Sequence, residues 1–277
     1  MSVFRVIDVA VAALVFGALM ASPAQAEQAE QDDVSKALDS TATQWSYQFA
    51  YQSMPNYHDD TVNGEPRPQG SDNFVQARIV APIKFDSFTL LPRLTLRHYE
   101  NSNGDSGFGN TELFGLIIPK SWDWGTGRMG LGPLITAPGD EKVAKDEWGY
   151  GAAGAWVNTS GNWFYGVLLT QSWRAVDPEA LPPSESDTQP LGIAPFLNYQ
   201  LGNGWFIGNG DMVARYDWDS KKVYLPIGVR VGRVIVRPNS SINIYAEYQT
   251  ALIYDDYPGP AVEDSIRINF TLTMPAL

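Results

Sequence analysis

The residues best equipped for chemistry in this 277-residue chain are its arginines. Arg78, Arg93, Arg97, Arg128, Arg174, Arg215, Arg230 and Arg267 each lie in a stretch where apolar and polar residues alternate, on the polar side of the alternation. Successive side chains of a strand point to opposite faces, so these eight guanidiniums share the polar face of a sheet. Three acids, Glu112, Asp211 and Glu247, fall on the same face. A guanidinium removed from bulk water needs a carboxylate or retained water beside it. Two readings stay open: a salt-bridge network that fills an interior, or a wet passage whose positive lining selects what passes.

Other reactive chemistry is scarce. There is no cysteine, which rules out disulfides and thiolate sites. The two histidines are His58, in Tyr57-His58-Asp59-Asp60, and His98, in Arg97-His98-Tyr99-Glu100. Nucleophilic hydrolysis needs a serine within reach of a histidine that a third group orients. Neither histidine has a serine two residues away, so a lipid-modifying enzyme ranks third among the functional readings and no catalytic residue is assigned. Gly125-Thr126-Gly127-Arg128-Met129-Gly130 has the spacing of a dinucleotide loop. That loop must join a strand to a helix, whereas this stretch follows a turn and opens a strand, and no cofactor is expected.

Acidic residues gather between the strands: Asp59, Asp60 and Asp72; Asp140, Glu141 and Asp146; Glu179, Glu185 and Asp187; Asp255, Asp256, Glu263 and Asp264. Carboxylates can bridge divalent cations to lipopolysaccharide phosphates, but such runs ordinarily just solvate loops, and no metal site is assigned. The formal net charge of −12 argues against a nucleic-acid partner.

The elements that carry the arginines are strands. Twelve segments read so, roughly 43–52, 73–84, 87–98, 107–119, 124–136, 147–158, 162–174, 188–201, 204–217, 222–236, 239–252 and 263–274. Each is close to the roughly ten residues that a tilted strand needs to cross a bilayer. From Gly107 to Gly139 two strands form a hairpin: Leu113, Ile117, Leu131 and Ile135 make an uncharged apolar face, and Glu112 and Arg128 lie on the other. The turn Lys120-Ser121-Trp122-Asp123-Trp124 sets two indoles at one end. Trp45, Tyr47, Phe49 and Tyr51 alternate with Gln44, Ser46, Gln48 and Gln52, and Ile266, Ile268, Phe270 and Leu272 with Arg267, Asn269, Thr271 and Thr273. No stretch sustains a 3.6-residue apolar repeat, so helices are not expected. Connections alternate long and short from the first strand onward, except a short ninth around Asp219-Ser220-Lys221. Apolar outward faces, aromatic ends and alternating loop lengths predict an all-β, single transmembrane antiparallel β-barrel of about twelve strands with a polar lumen. Soluble sandwiches and lipocalin-like barrels would instead turn the apolar face inward.

Residues 1–26 read as a secretory signal peptide, with Arg5, an apolar core from Val9 to Met20 and the small-x-small site Ala24-Gln25-Ala26. Residues 27–42 read as a polar, acidic periplasmic lead, disordered or holding one short helix, and 43–277 as the barrel.

Gly107-Phe108-Gly109-Asn110-Thr111, Trp122-Asp123-Trp124-Gly125-Thr126-Gly127, Gly132-Pro133-Leu134 and Thr136-Ala137-Pro138 also carry a resemblance. With Trp148-Gly149-Tyr150-Gly151, Asn162-Trp163-Phe164-Tyr165-Gly166, Pro195-Phe196-Leu197-Asn198-Tyr199 and Tyr216-Asp217-Trp218, this stretch resembles the bacterial phenol meta-pathway (MetA-type) outer-membrane transporter-like family over roughly residues 105–274. The resemblance implies a barrel in the outer membrane of a Gram-negative bacterium and a part in solute passage, and no catalytic residues. The expected function is passive passage of small solutes past the arginine-rich lining, with outer-membrane lipid and lipopolysaccharide as surroundings. A closed structural or adhesive barrel acting through its outer loops is the runner-up.

Residues 53–72 contain Asn63-Gly64 and three prolines, which prevent a regular strand throughout. Protease added to intact cells is expected to cut this loop and leave the barrel whole. Cleavage only from the periplasmic side would invert the assigned orientation.

Overall fold

The computed structural model describes residues 31–276 apart from 40, 59–60, 63–64, 67, 145, 175–189, 255–256 and 258–260. The expected signal peptide lies outside the described residues. The described chain is one short helix, α1 (Asp33–Leu38), followed by a closed antiparallel barrel. Its strands are β1 (Gln44–Tyr57), β2 (Asp72–Val80), β3 (Phe88–Glu100), β4 (Thr111–Pro119), β5 (Gly127–Ala137) and β6 (Gly149–Ser160). They continue with β7 (Trp163–Arg174), β8 (Pro190–Gly202), β9 in two pieces (Trp205–Gly208 and Ala214–Asp217), β10 (Lys222–Arg237), β11 (Ser240–Ile253) and β12 (Val262–Pro275). Each strand pairs with the next, and β12 pairs with β1 from Gln44↔Pro275 to Ser53↔Ile266, which closes the ring at twelve.

Closure matters because lipid offers no partner for a backbone N–H or C=O, so a spanning sheet can have no free edge. The outward face has the character that lipid requires. Phe49, Val75, Ile79, Leu113, Ile117, Leu131, Ile135, Val229, Val231, Ile266 and Ile268 are all exposed, and none of these strand positions is charged. Aromatic rings mark both ends of this belt, as interfacial rings do. Trp163 and Tyr199 pack at 4.7 Å at the short-turn end, where Trp205 also stands, opposite Gly202. Tyr150 and Trp173 pack at 6.3 Å at the long-loop end, as do Tyr216 and Trp218 at 4.8 Å. The short turn between β8 and β9 is made by Gly202, Asn203 and Gly204, all at positive φ, a conformation that glycine and asparagine tolerate.

Three features depart from the sequence reading. β1 runs on to Tyr57, so the first long connection starts later than residue 53. β2 stops at Val80 because Pro82 cannot donate to the ladder, and only Ile83–Lys84 resumes pairing with β3. The ninth strand, read as continuous over 204–217, is broken at residues 209–213.

The interior is polar over one arc and apolar over another. Val80, Leu91, Phe114, Leu116, Ile118, Leu134, Ala153 and Ala155 form a buried cluster, with Leu168 packed on it. Residues 113–118 of β4 are apolar on both faces, so alternation there does not distinguish lipid side from lumen side.

Leu131 and Ile268, each 58% exposed, lie in the middle of their strands. Arginine at either position is expected to destabilise the barrel by about 2–4 kcal/mol in liposome unfolding titrations. Glu141→Arg, in an exposed turn, should change it little. Equal tolerance at all three positions would refute the outward assignment.

Candidate functional site

The polar arc runs round the inner wall from β8 to β4 by way of the β12–β1 closure. Cross-strand register sets Arg230 opposite Glu247, and Glu247 opposite Arg267, so three adjacent strands alternate in charge. Arg267 donates to Gln52 at 3.2 Å, across the closure. On β2, Arg78 donates to Gln48 at 2.8 Å and to Thr95 at 3.3 Å. On β3, Arg97 donates to Gln76 at 3.1 Å and lies 5.9 Å from the Phe74 ring. Arg93 reaches Glu112 at 3.4 Å and covers the Phe114 ring at 4.2 Å, on the border between the polar arc and the apolar cluster. Arg230 donates through Nε (3.0 Å) and Nη2 (2.8 Å) to the same oxygen of Asn198.

Asp211 ties these walls together. It is not on a strand face, as the sequence suggested, but on the segment that breaks β9. Arg78, Arg230 and Arg267 approach its carboxylate at 3.7, 3.6 and 3.6 Å. These are ion pairs rather than hydrogen bonds, which require closer approach. Gly210 has φ +84°, and a Cβ there would lie 2.7 Å from the Glu247 carboxyl carbon, so glycine is needed for the inward turn. The Asp211 amide then donates to Glu247 at 2.8 Å. The gap left in the wall is covered by Asn209. Its side chain accepts from the Leu197 amide at 2.8 Å and donates to the Pro195 carbonyl at 2.8 Å, replacing the missing strand.

The second organising element is α1, the short helix that the sequence allowed in the polar lead but did not place inside the barrel. Residues 31–39 enter the barrel at the short-turn end, where Gln31 donates to Thr159 and Gln200 to Asp32. Asp32 caps α1, accepting from the amides of Val34 and Ser35 at 3.0 Å each. Burial alone would raise the Asp32 carboxyl, but hydrogen bonds from Ser35, Gln200 and Val34 outweigh it and hold the group below its usual range. Val34, Ala37 and Leu38 share one helical face and pack on Phe206, Val234 and Tyr245 of the inner wall. Past the helix, Asp39 is buried. It accepts from Arg128 at 2.8 Å and from Thr41 through its amide (2.7 Å) and hydroxyl (2.6 Å). Gln31 accepts from the same guanidinium at 3.1 Å and donates to Asp39 at 3.2 Å. Arg128, expected to line a lumen, therefore anchors the N-terminal segment. The available signal was Asp32 followed by Val34, Ala37 and Leu38 at helical spacing.

Between α1 and the inward segment lies a cavity of about 130 Å³, with Arg78, Arg93, Arg230 and Asp211 in its lining. Arg215 is exposed at the long-loop end, 5.6 Å from the Tyr224 ring. Arg174 ends β7, and its side chain lies outside the described residues. His58 stacks on Tyr254 with ring centroids 3.5 Å apart, and His98 meets the Phe108 ring edge-on at 5.1 Å. Among the described residues, no three acidic or histidine side chains gather in a metal-binding group. Of the acidic loop residues, Asp59, Asp60, Glu179, Glu185, Asp187, Asp255 and Asp256 lie outside the described residues.

No family model and no curated protein matches the sequence. Among solved structures, the fold is similar to an outer membrane channel from Pseudomonas putida F1, with a TM-score of 0.59 and 14% identity over 91% of this chain and 99% of that one. Outer membrane phospholipase A from Escherichia coli is more distant, with a TM-score of 0.43 and 11% identity over 84% of this chain and 92% of that one. The first likeness shows a shared barrel fold. The second is too remote to bear on this chain.

Removing one partner of a buried pair costs about 3–5 kcal/mol because the other charge is stranded. Asp39→Ala is therefore expected to free residues 31–41 while the strands stay paired. Hydrogen exchange should rise sharply over 31–41 and remain low in β1, β11 and β12. Unchanged exchange over 31–41 would mean that the apolar face of α1 alone holds the segment.

Proposed function

We propose that the barrel is an outer-membrane channel for the passive passage of small solutes, with a preference for anions. The observation that supports this most directly is the charge of the polar arc. Arg78, Arg93, Arg97, Arg230 and Arg267 face Glu112, Asp211 and Glu247, five cations against three acids. Low-dielectric walls focus such an excess into a positive potential, although the whole chain carries −12. Solutes would follow the polar arc from the long-loop end, where Arg215 stands, towards α1. Because α1 stands in that path, its docking through Arg128 and Asp39 would regulate conductance. The fold shared with an outer membrane channel and the resemblance to the phenol meta-pathway transporter-like family are consistent with this reading. Outer-membrane lipid would meet the apolar belt, and lipopolysaccharide the acidic loops.

A second reading has its own support. The apolar cluster and α1 both fill interior space, as a closed structural barrel would require. Recording in planar bilayers separates the two. Wild type or Asp39→Ala should conduct, with a reversal potential across a salt gradient that shows anion preference. Arg93→Ala combined with Arg97→Ala should move that potential towards zero, because two cations leave the arc. Silence in both wild type and Asp39→Ala would favour the closed barrel, and cation preference would assign permeation to the acidic loops.

A further inference from the structure

We propose that the interior cavity is a binding site for a small amphipathic monoanion, a carboxylate on a short apolar chain. This rests on the channel reading and adds a solute class to it. The cavity's lining is of two kinds. Arg78, Arg93, Arg230 and Asn243 form one, and Leu168, Phe196 and Val213 belong to the other. Two carboxylates also line it, but both are already matched, Asp39 by Arg128 and Asp211 by three arginines.

Unused hydrogen-bonding capacity lies in this wall. Arg93, which lines the cavity and is 8% exposed, has Nε without a partner. Buried polar atoms are rarely left unpaired without a functional reason. The three guanidiniums beside Asp211 stand 3.6–3.7 Å away, beyond hydrogen-bond range, so that carboxylate does not use up their N–H groups.

Charge and size narrow the ligand. Arg97 is half-buried and keeps access to solvent. The other four arginines of the arc face three acids, which leaves one positive charge for a ligand to neutralise. A guanidinium cluster matches a planar carboxylate through paired N–H donors. The volume is about 130 Å³, and an apolar cavity of about 150 Å³ accepts benzene. A ligand of about six non-hydrogen atoms, the size of butyrate, is therefore accommodated. Its chain would lie against Leu168, Phe196 and Val213, with the carboxylate towards Arg93.

The test is calorimetric titration of the detergent-solubilised full barrel with butyrate, n-butanol, butylammonium and acetate. Butyrate should bind saturably. The alcohol and the ammonium should bind on the order of ten-fold more weakly or worse, the loss expected for a charge-assisted hydrogen bond. Acetate should also be weaker, because it lacks the chain. Arg93→Gln should weaken butyrate by a similar factor. Val213→Asp should do so too by placing a carboxylate on the cavity wall without removing any ion-pair partner, which covers the case in which Arg93→Gln fails to fold. Equal binding of butanol and butyrate, or wild-type affinity in a folded Val213→Asp, would overturn the proposal. Anion conductance without saturable butyrate binding would refute the site and leave the channel standing. Butyrate binding with no current, in wild type and Asp39→Ala alike, would support the site and refute the channel.

Discussion

Asp211 is the carboxylate on which the interior depends. Barrel closure fixes where β2, β10 and β12 stand, and each sends a guanidinium towards the same point. At an effective dielectric of about 20, unit charges about 4 Å apart interact by on the order of 4 kcal/mol. Without a carboxylate among them, the three cations would repel at that scale inside a wall that cannot spread apart. The barrel supplies the carboxylate by giving up a stretch of wall. Residues 209–213 leave the ninth strand, Gly210 turns them inward, and Asn209 satisfies the backbone that is left behind. The break and the ion-pair cluster are thus one device.

This device also divides the interior. Side chains from β2 to β7 build an apolar patch, while β8 to β12, β1 and the near parts of β2 to β4 carry charge and amide groups. Arg93 stands at the boundary, with Glu112 on one side and the Phe114 ring on the other. A uniformly polar lumen would hydrate throughout, and a uniformly apolar one would exclude ions. A two-sided interior can hold a charged head and an apolar body together.

The sequence made the barrel legible because period-two alternation is a local property. Phe49 against Ala50, Leu131 against Leu134 and Ile268 against Asn269 sort correctly into outside and inside by parity and strand position. What fills the inside is not local. The ninth strand read as continuous because Gly208-Asn209-Gly210 is a weak turn signal within an alternating run. Asp39 and Arg128 meet across 89 positions of chain, and nothing in either neighbourhood announces the other. Six helical residues are too few to give a sustained periodicity, so α1 passed as part of a polar lead. The excess of arginine over acid was visible, but its distribution was not. Arg128 serves the N-terminal segment, Arg215 stands at the rim, Arg93 pairs with Glu112, Arg97 donates to Gln76, and Arg78, Arg230 and Arg267 converge on one aspartate.

The pairing of Gln44 with Pro275 has a consequence for how the molecule forms. Every other wall contact joins strands that are neighbours along the chain. The last seam joins the two ends of the sheet, so its loop-closure entropy is the largest in the molecule and the slow step of folding is expected there. The helix lies only a few residues ahead of β1. When β1 finally meets β12, the N-terminal segment is brought to the short-turn mouth of the barrel, through which it enters. The insert bridges β9–β11 and β5, walls whose spacing the seam sets.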